Sequence, residues 1–127
     1  MKALISSDKV PAPPGPYSPG LTVDEWIFLS GRGGFDPNTG KVVSDDLAEQ
    51  TEQTFTNIET VLEAAGAALD DVISCLVHLV DLADFPAFNA VYEQKFNKGV
   101  KPVRTTVRAD LVAGLLVEIT VVAARAS

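Results

Sequence analysis

The sequence predicts an α+β domain in which two helices pack on one face of a mixed β-sheet. Two segments carry apolar residues at helical spacing, and five carry the β-branched and aromatic composition of strands. Their order along the chain is β, β, α, β, α, β, β. At 127 residues the chain suits one domain, spanning positions 1–127, around one hydrophobic core. A composition of 46% hydrophobic and 21% charged residues places it with ordinary globular domains and against disorder.

The first strand candidate is the short run Ala3-Leu4-Ile5-Ser6. Residues 11–20 follow with five prolines and two glycines, a content that excludes both helix and central strand and predicts a draped loop. Trp26-Ile27-Phe28-Leu29-Ser30 reads as a strand ending at Gly31, and Asp36-Pro37-Asn38-Thr39-Gly40 as a tight turn. From 45 to 65 the period turns helical, with Leu47, Thr51, Phe55, Ile58, Leu62 and Ala65 on one face. Ser44, Asp45 or Asp46 can cap that helix, Asp46 and Glu49 fit a capping box, and Gly66 is a C-terminal stop.

The run 72–80, Val-Ile-Ser-Cys-Leu-Val-His-Leu-Val, is apolar enough for a strand buried on both faces. A second helix is predicted over 85–97, capped by Asp84, with Phe85, Phe88, Tyr92 and Phe96 along one stripe. Two strands close the chain, 103–109 and 115–125, with Gly114 in the connection between them. Only two helices are available to cover the sheet, so its second face is expected to be buried against other copies of the chain.

Charge and cysteine content narrow the function. Ten Lys and Arg against 17 Asp and Glu give a net charge of -7, which disfavours attraction to nucleic-acid phosphates and anionic membranes. The single Cys75 cannot form an intramolecular disulfide. Neither a signal-peptide core at the N-terminus nor a stretch near the roughly 20 apolar residues of a membrane span is visible, so the expected location is cytoplasmic.

The chemistry centres on Glu118, a lone charge in Leu115-Leu116-Val117-Glu118-Ile119-Thr120-Val121-Val122, and on Arg104 upstream of it. A carboxylate in such a strand is paired, exposed at an interface, or used. If 103–109 and 115–125 form a hairpin, residue numbers across it sum to about 224, which sets Thr106 opposite Glu118 and Arg104 on the adjacent diagonal. The two would then share a face. Two readings follow: a cross-strand ion pair, or a guanidinium fork for a substrate carboxylate beside an acid that orients or deprotonates water. Spacing leaves both open.

The assembled residues resemble the Rid (YjgF) family of enamine/imine deaminases, also described as endoribonuclease L-PSP. The resemblance rests on Gly15-Pro16-Tyr17-Ser18, Leu29-Ser30-Gly31, Asp36-Pro37-Asn38-Thr39-Gly40, Gln53-Thr54-Phe55-Thr56-Asn57-Ile58 and Leu62-Glu63-Ala64-Ala65-Gly66. It continues through Asp84-Phe85, Phe88-Asn89-Ala90-Val91-Tyr92, Phe96, Pro102-Val103-Arg104 and Val117-Glu118-Ile119, in order and over nearly the whole chain. It implies a chorismate-mutase-like, YjgF-type fold assembling as a homotrimer, with sheets lining a central barrel and active sites in clefts between subunits. It also implies that Arg104 binds the carboxylate of a small imine or enamine substrate and that Glu118 positions the attacking water. Tyr17, Ser30, Gly31 and Asn89 would line the cleft. The products would be a 2-oxo acid and ammonia, formed without metal or organic cofactor.

Two positions depart from the family pattern. Arg32 and two glycines stand where Gln commonly follows Ser-Gly, and Thr106 stands where Cys is frequent. Arg32 either adds a second anionic anchor, favouring a larger or dicarboxylic substrate, or pairs with Asp36 or a neighbouring subunit. Thr106 keeps a backbone N–H and a hydroxyl for carboxylate binding. His78, without Cys or carboxylate neighbours at ligand spacing, reads as a satisfied structural residue, and Cys75 as an inert buried thiol. Lys95, Lys98, Lys101, Arg104 and Arg108 form the basic cluster on which an RNA-directed alternative, endoribonuclease or translation inhibitor, would rest, but no aromatic stacking surface accompanies it. A trimer that binds a small ligand without turnover is the other alternative.

Overall fold

In a computed structural model, which describes residues 1–125, six strands form one sheet with two helices on one side of it. The strands are β1 (Lys2–Leu4), β2 (Gly20–Val23), β3 (Trp26–Leu29), β4 (Val72–Leu79), β5 (Val103–Arg108) and β6 (Val117–Ala124), and the helices are α1 (Leu47–Ala64) and α2 (Phe85–Lys95). The α+β class with a mixed sheet and two helices stands. β2 is an addition: the proline-rich stretch ends directly in a four-residue strand that pairs antiparallel with both β1 and β3. Asp24, at φ 53, turns the β2–β3 hairpin.

α1 forms where the sequence puts it. The Asp46 carboxylate accepts the Glu49 N–H at 2.9 Å, and at the far end Gly66, at φ 77, lets the Ala67 N–H return to the Leu62 carbonyl. Phe55, Ile58, Val61 and Leu62 on its inner face are fully buried. The start of α2 differs from expectation. Asp84 makes no side-chain cap, because it closes a 3₁₀ turn, Leu82–Asp84, that runs straight into the helix; Asp81 caps that turn by accepting the Ala83 N–H at 2.9 Å. Phe55, Phe88, Tyr92 and Phe96 join in an edge-on and tilted aromatic cluster between the helices.

The strand order is β1-β2-β3-β6-β4-β5. The two C-terminal strands are therefore not a hairpin. β5 lies at the edge, parallel to β4 and reached from it through α2, while β6 runs antiparallel between β3 and β4. Burial explains the exchange. Val117, Ile119, Val121 and Ala123 of β6 are all buried against the helices and require a central position, whereas five of the six residues of β5 are exposed and suit an edge. Ala113 and Gly114, both at positive φ, carry the connection across.

Cys75, Val77 and Leu79 of β4 share the helix face with the buried residues of β6. The opposite face carries Trp26, Phe28, Leu76 and Val107 as exposed apolar residues, and no described element covers it.

Candidate functional site

Arg104 sits on β5 directly across from Cys75, on the helix face. Its guanidinium lies 4.5 Å from the Tyr92 ring centre and 5.3 Å from that of Phe85, and Nη1 donates to Asn89 Oδ1 at 2.8 Å. The Asn89 amide is itself oriented, since its Nδ2 donates to Glu93 Oε1 at 3.1 Å. No carboxylate pairs with Arg104 among the described residues. It opens onto a cleft of about 390 Å³ that Asn89, Tyr92, Glu93, Phe96, Lys101 and Pro102 also line, the Glu93 carboxylate meeting Asn89 rather than pairing with Arg104. The result is a cation held in place by aromatic faces and an amide, with its charge unanswered.

Glu118 lies elsewhere. It pairs across from His78 of β4, on the uncovered sheet face. Cys75 and His78 are three residues apart on one strand, so their partners Arg104 and Glu118 project from opposite faces of the sheet. The shared face and diagonal contact expected from the hairpin are thus overturned, and with them the simple cross-strand ion pair. The error follows from the strand order, because the parity argument supposed that β5 and β6 were neighbours.

Around Glu118 the chain comes very close. A Cβ on Gly31 would meet the Glu118 carboxyl carbon at 2.7 Å, so Glu118 needs a glycine there. Arg32 follows immediately, exchanging backbone hydrogen bonds with Ile119 at 2.8 and 2.9 Å. Ser30 Oγ donates to the Ser18 carbonyl at 2.6 Å and so ties the proline-rich loop, including exposed Tyr17, to this end of the sheet. Burial lowers the Arg32 guanidinium below its ordinary value, with nearby Tyr17 opposing the shift. Arg32 makes no ion pair with Asp36 among the described residues, and the Asp36 carboxylate accepts instead from the Asn38 N–H at 2.8 Å.

The structure therefore gathers the expected residues into two groups. Arg104, Asn89 and Thr106 lie on the helix side of the edge strand, and Tyr17, Ser30 and Gly31 lie toward Glu118; Arg32, next in the chain, is instead the bridge partner of Ile119, on the helix-facing parity of β6. Among the described residues no hydrogen bond or ion pair joins the two groups. Thr106 Oγ1 is buried without a hydrogen-bond partner, as is the Tyr92 hydroxyl, which burial pushes well above its ordinary value. Burial likewise raises the Cys75 thiol, in keeping with an inert residue. The reading of His78 as satisfied fails, since its Nδ1 is buried with no hydrogen-bond partner, 3.8 Å from Glu118 Oε1.

Two further residues position the site without belonging to it. Gln50 Nε2 donates to the carbonyls of Ser44 and Gly114, and its Oε1 accepts the Leu116 N–H, so α1 holds the approach to β6. Asn57 Nδ2 donates to the carbonyls of Gly33 and Phe35 at 2.9 and 2.8 Å, holding the segment that follows Gly31 and Arg32. The legible signal was an amide at 50 and another at 57, two turns apart beside an apolar stripe.

Comparison with known proteins gives a consistent set. The family described as Endoribonuclease L-PSP matches residues 7–125. A RutC family protein of Saccharolobus solfataricus is 44% identical over 124 residues, covering 97% of this chain and 98% of its own. A protein of Bos taurus named 2-iminobutanoate/2-iminopropanoate deaminase is 40% identical over 124 residues, 97% of this chain and 90% of that one. Among solved structures, RidA from the Antarctic bacterium Psychrobacter sp. PAMC 21119 superposes with a TM-score of 0.90 at 36% identity, covering 97% of this chain and 99% of that chain.

Proposed function

The chain belongs to the Rid (YjgF, endoribonuclease L-PSP) family, and from that premise we propose that it is a cofactor-independent hydrolase that deaminates reactive 2-enamine and 2-imino acids. The observation that carries this reading is Arg104, a guanidinium oriented by Asn89, Tyr92 and Phe85 with no ion-paired carboxylate among the described residues. A 2-imino acid supplies that carboxylate in bidentate form and, one bond away, an electrophilic carbon.

Catalysis needs a water at that carbon. The Glu118 carboxylate takes a proton from the water as its oxygen bonds to the imine carbon, giving a carbinolamine. That proton passes to the nitrogen to complete the carbinolamine; Glu118 then takes the hydroxyl proton and delivers it to the nitrogen as the C=O bond forms and the C–N bond breaks, and a 2-oxo acid and ammonia leave. An enamine enters by protonation at carbon to its imine tautomer. Because Arg104 and Glu118 project from opposite sheet faces, they meet at one substrate only if they come from two copies of the chain. A homotrimer with its active sites between subunits satisfies this, and it buries the apolar face bearing Trp26, Phe28 and Leu76. Tyr17, Ser30 and Gly31 then line the Glu118 side of each cleft, with the Arg32 main chain beside them, and Asn89 and Thr106 the Arg104 side. The substrates are short-lived metabolites, which fits a cytoplasmic enzyme acting beside their source.

The test is ammonia release in a coupled assay that generates the imine of a short 2-amino acid in situ. Arg104→Ala should abolish release while the oligomer stays intact by light scattering. Full activity in that variant sinks the proposal. The acidic net charge and the pairing of Lys95 with Glu52 at 3.0 Å give an RNA-directed activity no support.

A further inference from the structure

We infer that His78 is a positioning residue for Glu118, donating Nδ1–H to Oε1 of the carboxylate and leaving Oε2 as the oxygen that handles the water. The inference rests on the deaminase reading for its kinetic consequence, though not for the contact itself. His78 and Glu118 are register partners on adjacent antiparallel strands, so their side chains leave the same face side by side. Nδ1 is buried and has no partner, and the polar atom it faces is Glu118 Oε1 at 3.8 Å. A buried ring nitrogen without a partner is rare. A shift of about 1 Å brings this one into hydrogen-bond range.

The same oxygen occupies the space that a side chain at position 31 would take. Oε1 is the carboxylate oxygen closest to the missing Cβ of Gly31, at 2.9 Å. Glu118 is thus flanked by a glycine that admits it and an imidazole that can hold it. No other charged side chain of the neighbouring described strands faces the imidazole: its register partner on β5 is Val107, Leu76 precedes it on the same face of β4, and Arg104 and Arg108 project from the other face. Glu118 is the one charged side chain facing it from either neighbouring strand, and no described element covers that face. A histidine that donates through one nitrogen to a carboxylate fixes its own tautomer and the carboxylate's orientation together.

The test uses the assembled protein and exploits the isosteric relation between an asparagine amide and Nδ1–H. His78→Phe should lower kcat about tenfold or more while KM stays within about twofold, because substrate binding lies with Arg104. His78→Asn, whose amide nitrogen falls near Nδ1, should recover most of kcat, and His78→Gln, which mimics Nε2, should not. Wild-type kcat in His78→Phe, or equal losses in His78→Asn and His78→Phe, overturns the inference. Since His78 is the only histidine, its ¹⁵N spectrum isolates the contact from the chemistry. The neutral ring should be protonated at Nδ1 in the wild type and revert to the ordinary Nε2–H majority in Glu118→Ala; the same tautomer in both overturns the contact. If instead the wild type releases no ammonia, the deaminase reading falls and the spectrum still decides the contact.

Discussion

Gly31 and Glu118 are packed so closely that a methyl group on the first would stand 2.7 Å from the carboxyl carbon of the second. The clash is with a side chain, so alanine at 31 is accommodated by turning Glu118 away from its place. Gly31→Ala should therefore leave the fold assembled, lower stability by about 1–3 kcal/mol, and reduce kcat at least tenfold, roughly, through loss of alignment. Steady-state kinetics beside a thermal melt checks this. Unchanged kcat would mean that the position of Glu118 is irrelevant to turnover.

Gln50 makes three hydrogen bonds from a fully buried side chain and has no apolar substitute. Gln50→Leu fills the volume but strands two carbonyls and an N–H, a loss of about 3 kcal/mol. The expected readout is a lower urea midpoint with an unchanged m-value. Amide exchange at Leu116 should accelerate at the same time, marking the point where α1 releases β6.

Tyr92 and Cys75 are both raised above their ordinary values by burial. Such groups lose their protons more readily unfolded than folded. Stability is therefore full below the ordinary thiol and phenol range and should decline from about pH 9 upward. Tyr92→Phe removes the tyrosine part of that decline. Unfolding midpoints across pH 7 to 10.5 decide the matter, and an identical decline in both proteins would refute the account.

Opposed projection of Arg104 and Glu118 makes subunit complementation a direct test of a shared site. Arg104→Ala and Glu118→Ala should each be inactive alone. Denatured together in equal amounts and refolded, they should recover about a quarter of wild-type activity, since each mixed trimer forms one site with both residues intact. No recovery, with mixed trimers verified by native mass spectrometry, would place both residues in one chain.

What the sequence disclosed and what it concealed divide along one line. Local signals were readable: the 3.6-residue stripe of α1, the Asp46 cap, the Gly66 stop and the apolar run of β4 each act within a few residues. Strand order was not, because alternation assigns a residue to one of two faces of its own strand and is silent on which strand lies beside it. That silence produced the false hairpin and turned Arg104 to the wrong side. β2 was hidden by its length, four residues emerging from a proline-rich loop. Glu118 was singled out as a lone charge in an apolar strand and Arg104 by its place upstream, and both were given roles by family resemblance. The contact of Glu118 with His78 joins residues 40 positions apart and required the register.

The opposed faces of Arg104 and Glu118 predict that activity depends on the protein's own abundance. On the proposed shared site, with Arg104 turned away from Glu118, a folded but solitary chain would hold both halves of the chemistry and perform none of it. Specific activity should then be constant at high protein concentration and collapse on dilution, faster than any spectroscopic sign of unfolding. Turnover becomes a gauge of how crowded the chain is with copies of itself.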